Sequence, residues 1–320
     1  MTVAVRPARV SAAGPRRPGR APGAARSTAY VWLFLAPTVL LYGAFTVYPI
    51  VSSYLYSLTD WNGFDASPSF IGLANYREVL ADPMFWNSFR LTLTFMVLAV
   101  PVQVLATLLI AIVLNSPRMP LRKLFRTALF LPVVTTTAIV GVVMQFVFDP
   151  ASGPVNLALR EAGLAPDGID FLGQSSTALG TTIGVYVWKW FGITLVYWLA
   201  ALQTVPNEVY EAARLDGAGA PATLRYITMP LLKPFLVIIT LLSIEASLQV
   251  FDLVLTMTGG GPFYSTEVIE VYIYRWAFAA TIPRLGYASA VAVLFGLFIC
   301  LVGMVQLLAV RAARRTRGAA

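Results

Sequence analysis

The sequence has no histidine, a single cysteine and only three lysines. Without histidine the commonest general base and the commonest zinc ligand are missing, and with them every serine–histidine pair and the His-Glu-x-x-His metal motif. The lone Cys300 excludes an intrachain disulfide and has no thiol partner for a metal site; inside an apolar run it reads as a small buried hydrophobe. The lysines follow Arg122, Trp188 and Leu232, so no glycine-rich phosphate loop ending in Gly-Lys-Ser/Thr is present and this chain binds no ATP of its own. No Gly-x-Ser-x-Gly elbow occurs either, which leaves a membrane-embedded enzyme without a nucleophile.

Charge is the other shortage. Charged residues make up 12% of the 320 positions and hydrophobic ones 58%, against roughly 25% charged in soluble domains, and the mean hydropathy is +0.73. So few charges cannot cover a water-exposed surface, and the lipid bilayer is the expected solvent. A membrane span needs about 20 apolar residues. Six such runs are present: Ala29 to Leu58, Phe89 to Leu114, Leu124 to Phe148, Ala178 to Leu202, Phe235 to Met257 and Leu285 to Val310. The first is too long for a signal-peptide core and lacks a small-residue cleavage site, so it reads as an uncleaved span. The expected fold is all-α: a polytopic membrane protein with six transmembrane helices over residues 28–311. It is flanked by a disordered basic tail over 1–27 and a second basic tail over 312–320.

The basic residues are sorted by side. With the N-terminus inside, 17 of the 23 Lys and Arg fall in cytosolic segments, five in external ones, and Lys189 within a span. Lysine and arginine near spans are retained in the cytoplasm, so both termini are expected to be cytosolic. The net charge of +8 then belongs to membrane topology and lipid contact, not to nucleic acid.

After the fourth run comes a polar stretch in which Val209, Ala212 and Ala213 can share one helix face while Glu208, Glu211 and Arg214 meet water. Gly217 can end that helix in a left-handed conformation. The segment resembles the EAA motif of ATP-binding-cassette importer permeases: Glu211, Ala212, Ala213, Gly217, Ile227 and Pro230 fall at the motif's spacings, with Met229 in place of its leucine. Tyr48-Pro49-Ile50, Trp188-Lys189 with Gly192, Phe251-Asp252, the Thr258-to-Pro262 glycine run and Leu285-to-Ala290 resemble the carbohydrate-importer branch, which includes maltose and glycerol-phosphate type permeases.

The resemblance implies a permease subunit translocating a sugar-like solute through a bacterial-type inner membrane. Its partners would be a second permease subunit, a cytosolic ATPase dimer that uses the ATP, and an extracytoplasmic solute-binding protein. It also implies that Glu208, Glu211, Ala212, Ala213, Arg214, Asp216, Gly217 and Pro230 form the coupling segment to the ATPase. A stand-alone channel or secondary transporter is the alternative, and it leaves the EAA segment unexplained.

For the solute path, Glu245, Gln249, Asp252 and Thr256 would share one face of a continuous fifth helix. Tyr186, Trp188, Lys189 and Trp190 lie at matching depth in the fourth. Because charges are costly in lipid, these residues are expected to line a hydrated path; alternatively, Lys189 and Glu245 form a buried ion pair.

Overall fold

The computed structural model describes residues 24–65, 67–116 and 119–315; the parts of the expected tails at 1–23 and 316–320 lie outside them. Among the described residues the structure is helical, with one isolated bridge between Thr59 and Phe70. The chain divides after Ser52 into two units. The first holds α1 (Ala24–Tyr42), a π turn (Gly43–Val47) and the start of α2 (Tyr48–Tyr56), giving an apolar run long enough to cross a bilayer. Helix already begins at Ala24, inside the expected tail, because Ala24–Tyr42 contains no residue that breaks it before Pro37.

The second unit runs through α3 (Ala74–Ala81), α4 (Pro83–Asn115), α5 (Arg122–Val134), α6 (Thr137–Val147), α7 (Pro154–Glu161) and α8 (Ala178–Leu202). It continues through α9 (Asn207–Leu215), α10 (Ala220–Thr223), a π turn (Leu224–Thr228), α11 (Met229–Ser247), α12 (Phe251–Met257), α13 (Ile269–Tyr274), a second π turn (Arg275–Ala279) and α14 (Leu285–Arg315). Helix α4 starts where the Asp82 carboxylate accepts from the Met84 N–H at 2.8 Å. Pro83 fits the next position because its missing N–H would have had no partner there.

Lipid tails are as apolar as leucine, so packing and interhelical hydrogen bonds must hold spans together. Helices α4 and α8 use both. Val104 and Leu108 pack with Leu195 and Trp198, joined by Leu232 and Ile239 of α11; the Gln103 amide donates to Thr194 Oγ1 at 3.0 Å and the Trp198 indole to the Val104 carbonyl at 3.0 Å. A second apolar cluster joins Phe95, Val140, Tyr186, Val254 and Met257, and a third joins Val79, Phe85, Tyr272, Tyr287, Val291 and Phe295.

Two expected spans are broken. Among the described residues five helical stretches meet the length and hydropathy of a span, and α5 with α6, bent by 102°, makes a sixth when the pair is counted as one. Thr135 and Thr136 leave the helical region between them, at the end of a Pro132-Val-Val-Thr-Thr-Thr137 run of β-branched residues that disfavours an unbroken helix. The fifth span stops at Ser247, and α12 starts anew at Phe251, whose N–H donates to Glu270 Oε2 at 2.8 Å. Glu245 and Gln249 are therefore not on one helix with Asp252 and Thr256. Cys300 is exposed on α14 and not buried; an apolar run does not distinguish a face turned to lipid from one turned to protein.

Candidate functional site

Between the middle of α4 and of α8 and the last turns of α11 lies a chamber of about 300 Å³ lined by Gln103, Tyr186, Trp190, Thr194, Tyr197, Ser243, Glu245 and Gln249 among apolar Ile193, Leu242 and Ala246. Tyr186 is held edge-on against Phe95. Gln103 is 2% exposed. Its nitrogen is committed to Thr194, while its buried oxygen has no hydrogen-bond partner. A buried, unsatisfied amide oxygen costs about 1–3 kcal/mol, so a turn of the Gln103 amide that brings this oxygen to a hydroxyl or amine in the chamber would be favoured. Glu245 and Gln249 are exposed at the chamber wall and, among the described residues, Glu245 has no ion pair. The wall thus offers aromatic faces, acceptors and a carboxylate, suited to a polyhydroxylated solute.

Four of the seven solute-path residues expected from the sequence meet here: Tyr186, Trp190, Glu245 and Gln249. Three are elsewhere. Trp188 is half-exposed on another face of α8, against a groove with Met144, Phe148 and Phe171. Asp252 sits in the first turn of α12, beyond the break.

Lys189 is 1% exposed and turns toward the bend between α5 and α6, donating to the Thr135 carbonyl at 2.8 Å and the Pro132 carbonyl at 3.4 Å. Its ammonium also stands 4.5 Å from the Trp190 ring centroid. Lys189 therefore satisfies carbonyls freed by the broken helix, and the ion pair with Glu245 is not formed. One turn further, a Cβ on Gly192 would come within 2.6 Å of the Leu129 carbonyl and the Phe130 Cα, so only glycine lets α5 pack this closely on α8.

Gln103, Thr194 and Ser243 were not singled out from sequence. Gln103 alone carried a signal, as the one side-chain amide within the second expected span.

At one end of the bundle lies α9, closed as its sequence indicates. Gly217 has φ +78°, its N–H donates to the Arg214 carbonyl at 3.1 Å, and the Ala218 N–H donates to the Ala213 carbonyl at 2.9 Å. These two bonds make a Schellman cap. Ala213 is buried, and the Tyr210 hydroxyl accepts from Thr228 at 3.3 Å. Ala212 faces outward, so the inner face is Val209, Tyr210 and Ala213; the expected face is rotated because Tyr210 supplies the packing. Glu208, Glu211, Arg214 and Asp216 are exposed, as is Leu215 at 89%. Pro230 lies in the first turn of α11 and is also exposed.

At the opposite end the Asp82 carboxylate accepts from Tyr272 at 2.5 Å and Tyr287 at 3.0 Å. Burial works to raise the Asp82 pKa, but the Tyr272, Met84 and Tyr287 hydrogen bonds and the Arg275 charge outweigh it and hold it below its usual value. Glu267 pairs with Arg275 at 2.6 Å, and Arg284 grips Glu78 through two bonds of 2.7 and 2.6 Å. Burial lifts the Glu270 pKa to about 7 against the N–H groups of Phe251 and Val250, with Asp252 adding to the rise. Among the described residues no group of three His, Cys, Asp or Glu side chains could hold a metal.

Residues 83–315 match the family of binding-protein-dependent transport system inner membrane components. The lactose transport system permease protein of Rhizobium radiobacter is 33% identical over 88% of this chain and 93% of its own length. The arabinooligosaccharides transport system permease protein of Bacillus subtilis is 31% identical over 86% of this chain and 87% of its own. The fold is that of a chain in a crystal structure of a bacterial ABC transporter involved in alginate import, at a TM-score of 0.79 and 22% identity, covering 90% of this chain and 96% of that one. With its helical bundle, its interior chamber and these relatives, the chain belongs to the family of binding-protein-dependent transport system inner membrane components, and is a transport permease and not an enzyme.

Proposed function

We propose that the chain is one of two permease subunits of an importer for a mono- or oligosaccharide, with the solute crossing through the chamber at Gln103. The observation that carries this reading is the chamber wall, where Tyr186, Trp190, Glu245 and Gln249 stand with Gln103, whose buried amide oxygen has no partner. Sugar hydroxyls supply the donors such a wall needs, and pyranose faces stack on aromatic rings. The names of the relatives, lactose and arabinooligosaccharides among them, point to the same class of solute.

The α9 end faces the cytosol, together with both termini, as the 17-to-5 sorting of basic residues supports. There Glu208, Glu211, Ala212, Arg214, Leu215 and Asp216 meet the ATPase, which supplies the nucleotide chemistry this chain lacks, while Ala213, Gly217 and Pro230 hold the segment's shape. A solute-binding protein delivers the sugar to the other end.

Uptake of labelled lactose and arabinooligosaccharides into vesicles holding the full complex tests this. Gln103→Ala should lower uptake of the transported sugar by roughly 5- to 100-fold, as for loss of one buried hydrogen bond, with the complex still assembled. Unchanged uptake by Gln103→Ala and by Gln249→Ala would exclude the chamber as the path.

A further inference from the structure

Helices α4 and α11 enclose a second hollow on their far side. Gln103 faces the chamber, whereas Leu105, Leu109 and Ile112 line a groove of about 730 Å³ that Met229, Lys233 and Arg225 complete from the other side. At 3.6 residues per turn, Ile112 stands about 180° round α4 from Gln103, and Lys233 about 180° round α11 from the chamber residue Leu242. The groove therefore opens away from the solute path, toward the surroundings of the bundle.

Its chemistry is divided. The α4 wall is aliphatic, and two exposed cations stand on the α11 side, eight positions apart, near the α9 end. Neither is in an ion pair: the two pairs among the described residues are Arg275–Glu267 and Arg284–Glu78. Arg225 lies against the Tyr226 ring at 5.8 Å, which leaves its N–H edge free for an anion. Lysine and arginine stems run along apolar surface while their heads reach the interface, and basic pockets between membrane helices suit lipid phosphates. A partner's transmembrane helix would have to bring carboxylates into this layer to meet both cations, and membrane spans rarely carry them.

We propose that this groove is a binding site for an anionic phospholipid, with an acyl chain along Leu105, Leu109 and Ile112 and the phosphate between Arg225 and Lys233. The site is independent of which solute is carried.

Native mass spectrometry of the assembled complex, titrated with dioleoylphosphatidylglycerol or dioleoylphosphatidylcholine, tests it. Each cation near an anionic headgroup contributes about fivefold in affinity. The wild type should retain one phosphatidylglycerol about 25-fold more tightly than phosphatidylcholine, Arg225→Gln and Lys233→Gln should each lower that preference about fivefold, and Lys233→Arg should keep it. Leu109→Trp, which fills the groove and leaves the charges, should weaken retention of both lipids. Equal retention of the two lipids by the wild type, or an unchanged preference in both glutamine variants, would overturn the proposal. So would a cross-link from a cysteine at position 109 to a helix of the partner permease.

Discussion

At the end of the bundle built by α3, α13 and the start of α14, charge is met within the chain: Glu267 by Arg275, Glu78 by Arg284, and Asp82 by Tyr272 and Tyr287. At the α9 end Glu208, Glu211, Arg214 and Asp216 make no ion pair with any described residue, and a leucine stands 89% exposed among them. These internal pairs fix the shape of the first end, although Phe263 stands 92% exposed there and Arg77 is in no ion pair among the described residues. The second keeps polar anchors and an apolar tip unspent, which is the surface of a part that completes itself on another chain. Between them lie the two broken helices and the chamber.

The widest gap between the ends should appear in stability. Asp82→Ala removes an N-cap and the acceptor for two tyrosine hydroxyls at once, and should cost about 3–4 kcal/mol. Asp216→Ala at the α9 end should stay within about 0.5 kcal/mol. Thermal unfolding of the purified full chain in detergent checks both, and equal losses would erase the distinction.

Acidity sharpens the same contrast. Below about pH 4.5, the ordinary glutamate value, Glu270 is protonated whether the chain is folded or not; the folded value is about 7. Between these the unfolded chain ionises first, so stability present below pH 4.5 is lost as pH rises through 7, on the order of 3 kcal/mol in all. Glu270→Gln keeps an acceptor for the Phe251 N–H and removes the titration. Its stability should therefore fall less than the wild type's between pH 5 and 8, and a slope equal to the wild type's would remove Glu270 from the account.

Gly217→Val should cost the α9 end about 1–2 kcal/mol, because a β-branched residue resists φ +78°. No heavy atom lies within 4 Å of the Cβ position, so the loss is one of backbone strain and not of crowding. Sugar-stimulated ATPase activity and uptake should fall together while membrane insertion persists; normal coupling would show that the cap's shape is not used.

Features set by local chemistry were legible in the sequence. The Gly217 cap follows from residues within one turn of it, and the spans follow from composition over 20 residues. The position of a residue along a span was legible too, but its direction was not. Lys189 and Glu245 do lie within their spans, yet one turns to the α5–α6 bend and the other to the chamber, because rotation about the axis is set by neighbouring helices. Hydropathy likewise passed over the breaks at Thr135 and Leu248, since both flanks are equally apolar. Gln103 was overlooked because a lone amide does not reveal whether both its ends find partners. The stand-alone channel or secondary transporter is set aside by the family match over residues 83–315.

The claim that the α9 end is completed by the ATPase is tested most directly by cross-linking in the assembled complex, with Cys300→Ser as background. A cysteine at Leu215, the exposed tip of α9, should be captured by the ATPase subunit through a short bifunctional reagent, and one at Tyr210, on the packed inner face, should not. Capture of the ATPase from position 210 and none from position 215 would contradict the account.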